Sequence, residues 1–489
     1  MSVRIGAIDQ GTTSTRILVI EPSGERHVAH AVAHRQIYPQ PGWVEHDPEE
    51  LIENIIACVA AAGRLDALGF DNQGESCLAW DAETKAAISP VIVWQDERTA
   101  ASIARLKREG CDKVTLERAG LPLDPYFSAS KLSWILKTLP EARRAHAKGT
   151  LRLGTTDAFF MDRLADQYIT DVSTASRTSL MNLKSGTWDA ELCQLFEVPM
   201  ECLPHIVPNI GAFGALGSSQ GNIPITALIV DQQAALYGAR CWAPGDVKMT
   251  FGTGAFALMT TGSTIVHDEA RGLIPTVAWQ LPGEDMVYAV DGGVLTAGAA
   301  INWAQNLGLY DSVSDLTGFP SEPAIARGLV FVPALSGLGA PHWDRKARGA
   351  FFGLALDHGP QEAMQAVLEG IALRAADVLG AMESVTPLNG VPSLDGGLTN
   401  NRYFLQFLAD VMGRPLTRSK EPEVTALGAA LLAGKAVGAT PRLESDGETV
   451  SPQKSAKAYQ ARFQKAVALT KDWAEDEPSA HASLGTAGG

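Results

Sequence analysis

The chain has 489 residues, more than one hydrophobic core usually supports, so two domains of similar size are expected. Hydrophobic residues make up 46% and charged residues 19%, an ordinary globular balance that excludes disordered and fibrous chains. A formal net charge of -15 repels phosphate across most of the surface and excludes nucleic acid as a partner.

No apolar run approaches the roughly 20 residues a bilayer requires, so no membrane partner is expected. The N-terminus lacks a basic segment followed by a long apolar stretch, which reads as no signal peptide. Cys58, Cys77, Cys111, Cys193, Cys202 and Cys241 have no zinc or redox spacing and suit a reducing compartment. The expected location is cytoplasmic.

The first elements read as a hairpin. Apolar Ile5 to Ile8 enters the polar turn Asp9-Gln10-Gly11-Thr12-Thr13-Ser14, an apolar return runs from Ile17 to Ile20, and Pro22-Ser23-Gly24 closes the unit. A helix then starts at Asp47 as N-cap, with Pro48 in the first position, Glu50 completing a capping box and Gly63 as the stop. Leu51, Ile52, Ile55, Ile56 and Val59 give it one apolar face. Short strands near Leu68, Leu78 and Ile92 make a mixed α/β domain.

Thr226 to Val230 is a buried-strand run ending at Asp231. Val247 to Thr261 is a second hairpin around Gly252-Thr253-Gly254, so each half carries a strand, a Gly/Thr turn and a returning strand. That repetition suggests a duplicated architecture. Helical patterns cover Thr296 to Leu307, Gln361 to Glu383, Asn401 to Met412 and Thr425 to Gly438. Beyond about Trp473 the chain turns acidic, then small and polar, the composition of a disordered tail.

The first turn places an aspartate, a glycine and three hydroxyl residues beside Arg16. Phosphate needs approachable backbone N–H groups, hydroxyl donors and positive charge, and this turn offers all three. Asp9 at the strand end could hold magnesium, which takes few carboxylates and keeps much of its hydration. The competing reading is a polar hairpin with solvated threonines. The second turn favours phosphate, since two such turns facing one cleft would clamp a triphosphate. No GxxxxGK[ST] loop occurs, so a nucleotide site must be of another design. Asp231, at a strand end, can accept a proton from a hydroxyl attacking a γ-phosphorus, or merely cap the next helix. Asp395-Gly396-Gly397 before Asn400 and Asn401 has the same shape: its glycines admit a ring or phosphate, and an N-cap turn explains them nearly as well.

Seven motifs together carry a resemblance: IGAIDQGTTSTR from Ile5, GWVEHDP from Gly42, VIVWQDERTA from Val91, LDPYFSASK from Leu123, DQQAALYG from Asp231, FGTGAF from Phe251 and DGGLTNN from Asp395. They resemble, in order and over nearly all of the chain to about Gly438, the FGGY carbohydrate kinases and the glycerol kinases among them. The resemblance implies two ribonuclease-H-like α/β domains, as in actin and hexokinase, with a cleft that closes on ATP and a small polyol. It implies that Thr12, Thr13, Ser14 and Arg16 approach the ATP phosphates with Asp9 near magnesium. Asp231 would be the general base and Gln232 would orient the substrate. Glu75 and Tyr126 would bond its hydroxyls, while Trp94 and Phe256 form an apolar wall. Thr253, Gly298, Asn302, Gly397 and Asn401 would line the nucleotide pocket, Asn302 standing where glycerol kinases commonly carry glutamine. Residues 1–240 would be the polyol-binding domain with the phosphate turn, 241–445 the nucleotide-binding domain and 446–489 an extension. A homo-oligomer, dimer or tetramer, is expected.

One departure bears on the substrate. Glycerol kinases have Arg-Glu after Asn-Gln, whereas here Gly74 precedes Glu75. Losing that arginine removes a charged donor worth about 1.5–3 kcal/mol and opens space, so erythritol, xylitol or xylulose is the alternative substrate. Gly214 to Gly221 reads GALGSSQG and lacks the family's fructose 1,6-bisphosphate loop, so that regulation is not expected. The GxSxG run from Gly217 to Gly221 is not read as a nucleophile elbow, which requires a strand before it and a helix after. His27, His30 and His34 are not read as a metal site, because strand alternation turns His27 away from the other two. Actin-like folds also serve as regulatory modules, a reading disfavoured by Glu75, Tyr126 and Asp231, which have no use without a hydroxylated substrate.

Overall fold

The computed structural model describes residues 3–219, 221–312, 316–439 and 447–475. Only the strands of its two large sheets, and the helices that position the site, are numbered below. The tail expected to be disordered lies largely outside the described residues.

β1 (Ile5–Gln10) and β2 (Ser14–Ile20) form the expected hairpin, with Asp9 opposite Arg16. Gly11 N–H donates to Ser14 O and closes the turn, so Ser14 begins the returning strand instead of ending the turn. β3 (Arg26–Ala33) adds antiparallel to β2 with a register shift between Ile17 and Leu18. The shift sets His27 opposite Val19 and His30 opposite Ile17, on one face, where simple alternation had separated them. His34 lies beyond the strand, its Nε2 2.8 Å from Thr12 O.

Helix α1 (Pro48–Ala62) starts and stops where the sequence marks it: Asp47 accepts from Glu49 N–H, and Gly63 ends it at φ 73°. The expected capping box does not form, because the Glu50 carboxylate accepts instead from Arg35 N–H and Nε–H. Leu51, Ile52, Ile55 and Val59 are buried on the sheet, while Ile56 is exposed.

β4 (Ala67–Asn72) runs parallel to β1 and sets Asp71 beside Asp9. β5 (Ala215–Ser218) and β6 (Gly221–Val230) form a hairpin, and β6 lies parallel to β4 with Ile229 beside Asp71. The GxSxG run therefore joins two strands, which rules out a nucleophile elbow. The sheet order is β5-β6-β4-β1-β2-β3. Helix α2 (Asp231–Gly238) follows β6 directly. The long excursion between β4 and β5 carries three strands of a four-stranded sheet, including Cys77–Asp81 and Val91–Ile92 as the apolar runs there suggest, and Glu45–His46, before α1, supplies the fourth.

The second half repeats the plan. β7 (Val247–Phe251) and β8 (Ala255–Gly262) are the second hairpin. β9 (Ile274–Trp279) and β10 (Val287–Val294) extend it antiparallel. Helices α3 (Gly298–Asn306) and α4 (Pro360–Val385) lead to β11 (Ser393–Asp395), which is parallel to β7. Helix α5 (Arg402–Met412) then leads to β12 (Leu416–Ser419), parallel to β11. After helix α6 (Val424–Ala436), β13 (Gly447–Val450) closes the edge, giving the order β9-β10-β8-β7-β11-β12-β13. The series β3-β2-β1-β4-β6 and β10-β8-β7-β11-β12 match in order and sense. This is a duplicated ribonuclease-H-like sheet, as in the actin/hexokinase class.

Helix α6 belongs to the second half by sequence but buries Ala426 to Ala433 against Ile5, Ala7, Ala67, Ala227 and Ala234 of the first. It reaches this close through glycine: a Cβ on Gly428 would stand 1.8 Å from Ala234 O, and one on Gly238 2.1 Å from Val424 O. The two helix backbones touch, and the crossing anchors the second half beside the strand end that carries Asp231. Among the described residues no helix is long and apolar enough to cross a membrane.

Candidate active site

In open α/β sheets, ligands gather beyond the carboxyl ends of parallel strands. β1, β4 and β6 end together at one edge. Asp9 pairs with Asp71 on one face, Asp71 pairs with Ile229, and Asp231 stands just past the end of β6, close enough for its charge to act on Asp71. Asp231 opens α2, and its Oδ1 accepts from Gln232 N–H at 2.7 Å. Burial, reinforced by the Glu75 charge, raises its pKa to about 7. Asp71 is fully buried, and neither carboxylate oxygen accepts a hydrogen bond. Burial, then the charges of Asp9 and Asp231, push its pKa well above the usual carboxylate range. Burial also raises Asp9, against the pull of Arg16, whose Nε is 3.7 Å away.

One cavity of about 390 Å³ opens beside this edge, and Glu75, Trp94, Tyr126, Asp231, Gln232 and Phe256 all line it. Glu75 sits at φ 59° in a tight turn closed by Ser76 N–H donating to Gly74 O at 2.7 Å. A non-glycine residue held there carries about 1–3 kcal/mol of backbone strain, the kind of cost that concentrates at functional sites. Ser128 Oγ holds the Glu75 carbonyl at 2.9 Å. Trp94 is fixed by its Nε1–H donating to Thr12 Oγ1 at 3.0 Å and by Ser76 Oγ, which accepts from its backbone N–H. Tyr126 meets Trp94 edge to face, ring centroids 5.5 Å apart. Below them Lys131 Nζ donates to Tyr126 O at 2.6 Å and Trp94 O at 3.3 Å, its pKa lowered to about 8 by burial. Phe256, from β8, brings the second half to the cavity wall.

Sequence reasoning missed the cavity's central cation, Arg177. Its Nε–H donates to Glu75 Oε1 at 2.7 Å, and its Nη2 lies 3.5 Å from Asp291 Oδ2 on β10. Nη1 is buried with no hydrogen-bond partner. The Ser173-Thr174-Ala175-Ser176 segment before it has no apolar period to mark a site. At Gly74, which lines the cavity, a Cβ would stand 2.8 Å from Val230 Cγ2, so any side chain there crowds a buried valine. A guanidinium lines this cavity nonetheless, from another part of the chain.

A second cavity, of about 440 Å³, is lined by Asp231 and Gln232 together with Lys248, Thr250, Asp395, Gly396, Arg418 and Lys420. Lys248, also missed, pairs with Asp395 at 2.9 Å. Gly396 turns at φ 94°, where any Cβ would stand 2.2 Å from Phe251 O, so the backbone itself forms this wall.

The nucleotide candidates are dispersed. Thr253 and Gly298 come together, since Gly298 N–H donates to Gly252 O and Ala297 N–H to Thr253 O, both at 2.9 Å. A Cβ on Gly298 would stand 2.5 Å from Gly252 O. Asn302 is on the exposed side of α3, and Gly397 is exposed in the turn after β11. Asn401 caps α5 by accepting from Phe404 N–H and donates to Leu316 O at 2.7 Å. None of these five lines either cavity. Thr12 lines the first cavity, Thr13 O accepts from His34 N–H, and Arg16 binds Ser14 Oγ and both oxygens of Glu423 from the second half.

Duplicated ribonuclease-H-like sheets with a carboxylate between two cavities define the actin/hexokinase class of ATPase folds. Comparison with known proteins narrows this. The FGGY family of carbohydrate kinases matches by its N-terminal domain over residues 4–238 and by its C-terminal domain over residues 247–437. The chain belongs to this family, whose members transfer phosphate to an alcohol. It is 43% identical over 447 residues to a glycerol kinase of Trichlorobacter lovleyi, covering 88% of this chain and 90% of that protein. It is 39% identical to a glycerol kinase of Haloferax volcanii, covering 97% and 99%. The crystal structure of Plasmodium falciparum glycerol kinase with ADP superposes with a TM-score of 0.89 at 30% identity, covering 96% of this chain and 98% of that one.

Proposed function

We propose that this kinase phosphorylates glycerol with ATP, giving glycerol 3-phosphate and ADP. The observation that carries the reading is that Asp231 and its neighbour Gln232 alone line both cavities. In this reading the 390 Å³ cavity takes the polyol and the 440 Å³ cavity opens toward the nucleotide. A carboxylate shared between them can take the proton from a substrate hydroxyl as the oxygen attacks the γ-phosphorus.

The polyol cavity has the chemistry glycerol needs. Trp94 and Phe256 offer apolar faces to its carbon side, and Tyr126 brings a phenol hydroxyl to its hydroxyls. The Glu75 carboxylate would accept from one hydroxyl; burial raises its pKa, and Arg177, donating to it, opposes that rise and aims it. The longer-substrate alternative loses support, because Val230 Cγ2 crowds the Cβ position at Gly74 and Arg177 supplies a guanidinium to the same cavity. Glycerol kinases at 38–43% identity point the same way.

On the nucleotide side, Lys248, Arg418 and Lys420 bring positive charge, and Gly396 presents bare backbone. The two hairpin turns, with Thr12, Thr13 and Ser14 in one and Thr253 in the other, would offer N–H and hydroxyl donors to phosphate oxygens. Arg16 would have to leave Glu423 to do so. Thr253, Gly298, Asn302, Gly397 and Asn401 would come to the nucleotide if the halves close further. A magnesium ion fits the carboxylate edge: Asp9 is partly accessible, and among the described residues its paired basic neighbour is Arg16 at 3.7 Å. When bound, magnesium supplies the positive charge that offsets the phosphates. Positioning and electrostatics would then provide most of the rate.

The test is ADP release with ATP and magnesium, with and without glycerol, and with the product's phosphorylated carbon assigned by NMR. Glycerol-dependent release yielding glycerol 3-phosphate supports the reading. ATP hydrolysis indifferent to every polyol would favour a regulatory module instead.

A further inference from the structure

We propose that Asp71 is a second carboxylate ligand of the divalent cation placed at Asp9. The inference rests on the kinase reading above and adds to it a residue of this chain. Asp71 is 0% exposed, and neither of its oxygens receives a hydrogen bond. A buried carboxylate without donors is held at a cost unless a cation or a proton compensates it.

The surroundings narrow the choice. On its two flanking strands Asp71 faces Asp9 and, one strand pair along, Asp231, both of its own sign. The basic group of this edge, Arg16, spends its Nη1 on Glu423 and its Nη2 on Ser14, and Ser14 lies on β2, two strands away from Asp71. No basic side chain among the described residues is paired with Asp71: the Arg16 Nε, its remaining N–H, stands 3.7 Å from Asp9 instead, so a bound cation would compensate Asp71 directly.

Magnesium is the ion that suits this arrangement. It is commonly held by one or two carboxylates, with substrate phosphates and water completing six positions at about 2.1 Å. Paired residues on adjacent parallel strands stand about 4.8 Å apart, a span two carboxylates can close on one ion. The parallel pairing of β1 with β4 is what brings Asp71 beside Asp9.

The alternative is a proton held between Asp9 and Asp71, with the cation on Asp9 alone. Titration of the full-length enzyme with Mn²⁺ in the presence of ADP, following free Mn²⁺ by electron paramagnetic resonance, separates the two. Asp71→Asn should weaken Mn²⁺ binding by about tenfold or more, and Asp9→Asn should do the same. Without metal, the Asp71→Asn protein should melt no lower than wild type, and Mn²⁺ should raise its melting temperature less. Affinity within twofold of wild type would overturn the proposal. If the variant does not fold, anomalous scattering from a wild-type crystal with Mn²⁺ and ADP decides. A peak within ligand distance of an Asp71 oxygen supports it, and a peak on Asp9 alone overturns it. Neither outcome depends on which polyol is phosphorylated, so the glycerol reading stands or falls separately by the ADP-release assay.

Discussion

Arg177 Nε–H donates to Glu75 Oε1 at 2.7 Å, and the same guanidinium approaches Asp291 of the other half. The pair is buried, and removing one partner leaves the other charge uncompensated, typically at about 3–5 kcal/mol. Arg177→Gln should therefore lower the melting temperature and raise KM for glycerol more than it lowers kcat. Arg177→Lys should restore part of the stability but less of the affinity, since ammonium lacks the planar fork. Equal KM values for both variants and wild type would remove Arg177 from substrate positioning.

Asp231→Asn should reduce kcat by about a hundredfold or more while ADP affinity stays near that of wild type. Calorimetric ADP titration alongside steady-state kinetics checks this.

The raised pKa of Asp231 fixes the sign of two pH effects. A base must be ionised, so kcat/KM should climb as pH rises through about 7. Stability runs the other way: a carboxyl that holds its proton more tightly when folded favours the fold at low pH, and this contribution is lost as pH rises through the folded pKa. Asp231→Asn should raise the melting temperature relative to wild type more at pH 8 than at pH 5.

Gly74→Arg is a test of the pocket. With Val230 Cγ2 2.8 Å from the added Cβ, the new side chain must displace a buried valine at about 1–3 kcal/mol. The variant should be less stable and should not discriminate glycerol from erythritol better than wild type.

Gly428→Ala pushes α6 from α2, because its Cβ would meet Ala234 O at 1.8 Å. A loss of about 2–3 kcal/mol is expected, together with reduced kcat, since α2 begins at Asp231. Denaturant unfolding and kinetics on the same preparation measure both.

Much of the fold was readable because its signals are local. Apolar runs broken by Gly11 and by Gly252 marked both hairpins, and Asp47, Pro48 and Gly63 bounded α1. The six proposed polyol contacts share one cavity because each sits at a strand end or sharp turn that a short motif specifies. What local sequence could not reveal are relationships across the chain. Arg16 and Glu423 are 407 positions apart, and Arg177 and Glu75 are 102 apart. Glu50 looked like a capping residue until a distant arginine outcompeted the helix end. Gly74 looked like a hole because nothing beside it in sequence identifies Val230 as its neighbour in space or Arg177 as lining the same cavity.

The most direct test is kcat/KM for glycerol beside erythritol, xylitol and xylulose on the wild-type protein. Glycerol should exceed each longer substrate by a wide margin. A longer polyol or the ketose matching or surpassing glycerol would contradict the assignment of the Glu75–Arg177 cavity to a three-carbon substrate.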